Sequence, residues 1–230
     1  MGKVIFLLMF VFLFSGLASA QKTKPWTEWT KDDVEKMLNK SSWGQTQVET
    51  DTSEMMYSPT SANTAQSADG ARNQAIELKY RIRLFSAKPI REAFARKVLL
   101  DNPNIKPQQL QNFVQGDYSD SIVVAVAFES SDRRSSGPVG QAFNSATAGT
   151  LKNTSYIERK DGKRIYLSDY ARPTTDGTGA KFVFARESDG KPFFSDGNDV
   201  IHFVADFGGN MKVSWRFKLS EMTYDGKLEF

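Results

Sequence analysis

Apolar residues along this chain keep two different rhythms, and the change from one to the other marks out its elements. Over Ala75–Phe85, Ile76, Leu78, Tyr80, Ile82 and Leu84 alternate with Glu77, Lys79, Arg81 and Arg83, the pattern of a strand with one buried and one wet face. From Lys88-Pro89 the spacing lengthens. Ile90, Phe94 and Val98 stand four apart, which predicts a helix to about Leu100 with Glu92 and Arg96 paired on its exposed side. Pro107 opens a second helix through Leu110, Phe113 and Val114, with Gly116 as its cap. Ile122–Phe128 is apolar throughout and reads as a central strand covered on both faces. Pro138 starts a third helix, with Val139, Ala142, Phe143 and Ala146 inward and Gly149 at its end.

Beyond that point the alternation returns. Tyr156–Leu167 reads as a hairpin about Asp161-Gly162, Lys181–Arg186 as a strand, and Asp189-Gly190 as a turn. Val200–Phe207 and Met211–Leu219 are two further strands joined through Gly208-Gly209-Asn210. In the last of them Met211, Val213, Trp215, Phe217 and Leu219 share one face, so a slip of one residue would expose the whole set. Turn-linked strands with the helices in an early block predict an α+β fold: a mostly antiparallel sheet with two or three helices on one face.

The first seventy-four residues follow neither rhythm for long. Lys3, an unbroken apolar run from Val4 to Phe14, and Ala18-Ser19-Ala20 make a signal peptide over residues 1–20, with cleavage expected after Ala20. The run is too short to span a membrane, which takes about 20 apolar residues, and no second long apolar segment follows. Residues 21–56 form an N-terminal arm holding Trp26, Trp29 and Trp43, three of the four tryptophans. Thr30 and Asp33 make a capping box for a short helix over Lys31–Asn39, with Val34, Met37 and Leu38 as its stripe. The indoles either pack on the main domain or serve as partner contacts, since clustered Trp is typical of binding hot spots. Residues 44–56 are a short strand or part of the following linker. Residues 57–74, rich in Ser, Thr, Ala, Asn and Gly, read as that flexible linker, leaving 75–230 as a single α+β domain. As an appendage, residues 21–60 should be removable with the core still folded.

Composition narrows the function by exclusion. A net charge of +3 over 230 residues lacks the basic excess of a dedicated nucleic-acid binder. With no cysteine there is no thiol nucleophile, no thiolate metal site and no lipid-attachment cysteine. An exported chain without disulfides fits a bacterial source and a periplasmic or extracellular destination.

Candidate chemistry is sparse. His202 is the only histidine, and Asp206 on the same strand face lies about 13 Å along it, too far for a dyad. Ser188-Asp189-Gly190-Lys191 fits S-x-x-K, but Asp-Gly predicts a turn where that chemistry needs a helix. Asp196-Gly197-Asn198-Asp199 crowds oxygen ligands without the spacing of a calcium loop, and reads as a turn. Phe182, Phe184, Phe203 and Phe217 could line a cavity for an apolar ligand, or simply fill the core. Lys79, Arg81 and Arg83 on one strand and Lys212, Arg216 and Lys218 on another would make a basic face if the strands were neighbours. No catalytic, cofactor-binding or metal-ligating residue is assigned.

The segments KPWTEWTKDDVEKMLNKSSW, RPTTDGTGAKFVFAR and YDGKLEF resemble secreted bacterial proteins of unknown function. The resemblance implies an exported bacterial protein and carries no catalytic residue. The expected function is a non-enzymatic cell-envelope binding protein, its partner an envelope protein or an anionic surface polymer. The alternative is a secreted hydrolase acting on glycan or ester through carboxylates that the sequence does not single out.

Overall fold

A computed structural model describes residues 24–51, 76–130, 132–195, 197, 199–209 and 211–230. The expected leader and the expected linker 57–74 lie outside the described residues. Helix α1 spans Lys31–Asn39, and Thr30 and Asp33 close the capping box from both sides. Strand β1, Gly44–Asp51, pairs antiparallel with β2, Ile76–Leu84. The ambiguity over residues 44–51 is thereby resolved as strand, and the expected arm is instead built into the body.

Helix α2 covers Lys88–Asp101. Pro107 opens a 3-10 turn to Leu110 that runs into α3, Gln111–Val114, and β3 follows over Ser121–Ser130. Helix α4, Arg133–Ser145, starts five residues before the expected proline and carries Pro138 inside it. Residues 133–137 contain no large apolar side chain, so periodicity had nothing to mark there. The same helix stops before Gly149 because Thr147 and Thr150 cap a new helical turn, α5, Ala148–Leu151.

Strands β4 (Tyr156–Glu158) and β5 (Arg164–Tyr166) form the predicted hairpin. They are followed by β6 (Asp169–Ala171), β7 (Ala180–Ala185) and the short β8–β9 hairpin (Glu187–Ser188, Lys191–Pro192). Strands β10 (Val200–Asp206) and β11 (Lys212–Lys218) form the next pair, and a small β12–β13 hairpin (Thr223–Tyr224, Lys227–Leu228) closes the described chain.

All these pairings are antiparallel and build two main sheets, ordered β1-β2-β3-β7-β6 and β11-β10-β4-β5. The α+β class is as expected. The condition for a joint basic face is not met, because β2 is flanked by β1 and β3 in one sheet while β11 edges the other. Phenylalanines bind the two layers together. Phe182 and Phe184 of β7 meet Phe203 of β10 at ring separations of 5.3 and 6.1 Å, and Phe143 of α4 stacks on Phe207 at 4.6 Å. Phe182, Phe184, Phe203 and Phe217 are all buried, so they fill the core.

Helices α1 and α2 cover the outer face of the five-stranded sheet, and a buried arginine fixes them there. Arg83 donates from Nε to the Leu38 carbonyl at 3.0 Å and from Nη2 to Asn39 Oδ1 at 2.8 Å, with its guanidinium over the Phe94 ring. The expected Glu92–Arg96 pair does not form. Glu92 is buried and accepts from the Tyr224 hydroxyl, while Arg96 donates to the Trp29 carbonyl. Both side chains turn inward because α1 and the C-terminal hairpin cover the flank that would otherwise be wet.

Candidate functional site

The register of the four-stranded sheet lines up one polar row on the face opposite Phe203. Arg216 of β11 stands opposite His202 of β10, His202 opposite Glu158 of β4, and Glu158 opposite Arg164 of β5. Three inter-strand steps give the row a length of about 14 Å. The side chains follow the backbone register. His202 Nδ1 lies 3.3 Å from Glu158 Oε1, and Arg164 Nε donates to Glu158 Oε2 at 2.6 Å.

Arg216 ends the row and has no ion-pair partner among the described residues. Beside the row, Val204 pairs with Tyr156 and Tyr156 with Tyr166. The two tyrosine rings meet edge to face at 5.9 Å, and Arg164 lies over the Tyr156 ring at 4.2 Å. Tyr166 is 49% exposed, more than any other large apolar or aromatic side chain described.

Glu158 and His202 are each shifted by their surroundings. Hydrogen bonding from Arg164 holds the Glu158 carboxyl below its ordinary value, aided by His202. Partial burial lowers His202, and the positive charges of Arg216 and Lys212 add to this, outweighing the opposing pull of Glu158. The imidazole is therefore held neutral at pH 7. A neutral histidine against a carboxylate has the geometry of a supported base. Among the described residues no hydroxyl is hydrogen-bonded to His202.

The other sequence candidates fall elsewhere. Trp26, Trp29 and Trp43 are each at most 9% exposed, and two of them spend their N–H groups internally. Trp29 Nε1 donates to the Lys24 carbonyl at 2.9 Å and Trp43 Nε1 to the Glu229 carbonyl at 2.6 Å. Their indole faces are thus occupied by this chain. Asp196 and Asn198 lie outside the described residues. Asp199 is buried, accepts from the backbone of Lys160 and Val200, and sits 3.3 Å from Arg159. No group of three or more His, Cys, Asp or Glu side chains able to hold a metal occurs among the described residues. Ser188 and Lys191 face each other across a two-residue hairpin.

Sequence reading missed Glu158, Arg164, Tyr156 and Tyr166. Alternation through the Tyr156–Leu167 hairpin already places all four on one face. The missing step was the pairing of that hairpin with β10, a contact 44 residues away in sequence.

No family model, no curated protein and no solved structure matches the chain. Among the described residues, no helix is long and apolar enough to cross a membrane.

Proposed function

We propose that this is an exported, non-enzymatic binding protein of the bacterial cell envelope. In this reading the face of its four-stranded sheet that carries the polar row engages an anionic surface polymer. The observation that carries the proposal is the row ending in Arg216, which has no ion-pair partner among the described residues, set beside an exposed Tyr166. A guanidinium supplies directional donors to carboxylate, sulfate or phosphate groups, and a tyrosine ring supplies a flat apolar surface for a sugar. Lys212 and Lys218 on β11 add long-range attraction. Export rests on the amino-terminal pattern of residues 1–20 and on the resemblance to secreted bacterial proteins.

The test is co-sedimentation or affinity electrophoresis with acidic polysaccharides, alginate and dextran sulfate among them, beside neutral dextran. Retardation by the acidic polymers is expected to fall about tenfold in Arg216→Ala and again in Tyr166→Ala, and to weaken as salt rises. Equal behaviour of acidic and neutral polymers would remove the proposal.

The His202–Glu158 contact favours a second reading, hydrolysis of an ester or glycan with His202 as general base. Turnover of chromogenic esters or glycosides that disappears in both His202→Ala and Glu158→Gln would move the assignment to that class.

A further inference from the structure

A groove of about 550 Å³ lies between two hairpin ends, away from the polar row. One wall is the β4–β5 turn with Arg159 and Lys163, and the other is the β8–β9 hairpin with Ser188 and Lys191. Phe193 and Ser195 complete the lining. Both walls are held firmly. In the β8–β9 hairpin Asp189 and Gly190 take φ of 54° and 70°, the left-handed pair of a tight two-residue turn, which sets Ser188 directly opposite Lys191. In the other wall the Arg159 N–H donates to the Lys163 carbonyl at 2.9 Å, placing those two side chains together.

Arg159 is fixed from behind. Its Nη1 donates to the Phe193 carbonyl and its Nη2 to Asp161 Oδ2, both at 3.0 Å, its Nε lies 3.3 Å from Asp199 Oδ2, and its guanidinium lies 5.5 Å from the Phe193 ring centre. A guanidinium has five N–H donors, so one hydrogen on each terminal nitrogen remains unused. Lys163 and Lys191 have no ion-pair or hydrogen-bond partner for their ammonium groups among the described residues. Among the described residues Asp189 is the one carboxylate on the lining, and its Oδ2 accepts from the Ser188 hydroxyl at 3.5 Å.

We propose that this groove is a binding site for a compact oxyanion: a phosphate, a sulfate or a carboxylate, free or carried on a polymer. Two ammonium groups without a partner among the described residues, a pre-positioned guanidinium and the Ser195 hydroxyl supply charge and donors for such a group, while the Ser188 hydroxyl donates to Asp189. The proposal is independent of the sheet-face reading, since the two sites share no residue.

Isothermal titration of the purified protein with inorganic phosphate and with sulfate, at low ionic strength, tests it. Binding is expected in the wild type and should fall about tenfold or more in the double variant Lys163→Ala/Lys191→Ala, a loss of two charge-assisted contacts. Lys152→Ala/Lys227→Ala, which removes the same charge at exposed positions belonging to neither site, should leave it unchanged. Two results would overturn the site: neither anion binding the wild type, or both double variants losing affinity equally. Dextran sulfate retention then separates the sources. A drop in the Lys163/Lys191 variant assigns a polymer-borne anion, and no drop, with phosphate binding intact, assigns a free one. Because Arg216→Ala reports on the sheet face alone, failure of either site is visible without the other.

Discussion

Arg83 sits at a strand position where alternation calls for a wet side chain, yet it is only 4% exposed. Burial depresses its guanidinium to about 10, chiefly by removing water from the charge, so the fold carries a desolvation cost at this position. Hydrogen bonds to Leu38 and Asn39 and the Phe94 ring offset that cost and fix where α1 ends. Truncation would leave the two oxygens without donors and open a space under α2. Arg83→Ala should lose about 3 kcal/mol of stability, read as a shift in the denaturant midpoint. Arg83→Lys should recover only part, since an ammonium cannot reproduce the fork. A change under about 0.5 kcal/mol, the scale of ordinary surface substitutions, would mean the arginine is an incidental passenger.

At the scale of elements, α2 shows how a helix start can be completed by residues far along the chain. No side chain of its own caps it. The Lys88 N–H is instead taken by Glu229 Oε1 at 2.8 Å, while Glu92 one turn later receives the Tyr224 hydroxyl and lies 3.7 Å from Lys88 Nζ. Burial raises the Glu92 carboxyl above its ordinary range despite these partners. The folded chain therefore holds this proton to higher pH than the unfolded one. The stability tied to it is complete below the unfolded value and drains away as pH rises through the folded one. Glu92→Gln keeps an acceptor for Tyr224 and never ionises. Thermal melts should find the variant and wild type alike near pH 4, with the variant gaining relative stability toward pH 8. A constant difference across that range would contradict the assignment.

The same elements show what a sequence can disclose. Helix α1 was legible to the residue because its start is written locally, in Thr30 and Asp33. The start of α4 was not, because residues 133–137 carry no apolar stripe. The polar row was half legible: alternation put Glu158 and Arg164 on one face, but nothing local says which strand will lie beside them. The indoles were open to two readings for a related reason, since a Trp cluster looks alike whether its pocket belongs to a partner or to the same chain.

For the whole molecule, the decisive contacts join its two ends. Trp43 and Lys88 both bond to Glu229, Arg186 packs its guanidinium on Phe230, and the Trp43 ring meets Tyr224 at 6.0 Å. Residues 24–51 also supply β1, the outermost strand of the larger sheet, whose Gln47 side chain accepts from the Ser214 backbone of the other. A removable arm would have none of these ties. Deleting residues 24–51 would bare the β2 edge, uncover Arg83 and release the C-terminal hairpin from Trp43. An exposed strand edge beside a newly opened apolar face is a route to aggregation. The truncated chain is expected to lose its cooperative melt by circular dichroism and to leave the monomer position in size-exclusion chromatography. A monomeric product melting within a few degrees of the intact chain would restore the arm as a separate unit, and with it a docking role for Trp26, Trp29 and Trp43.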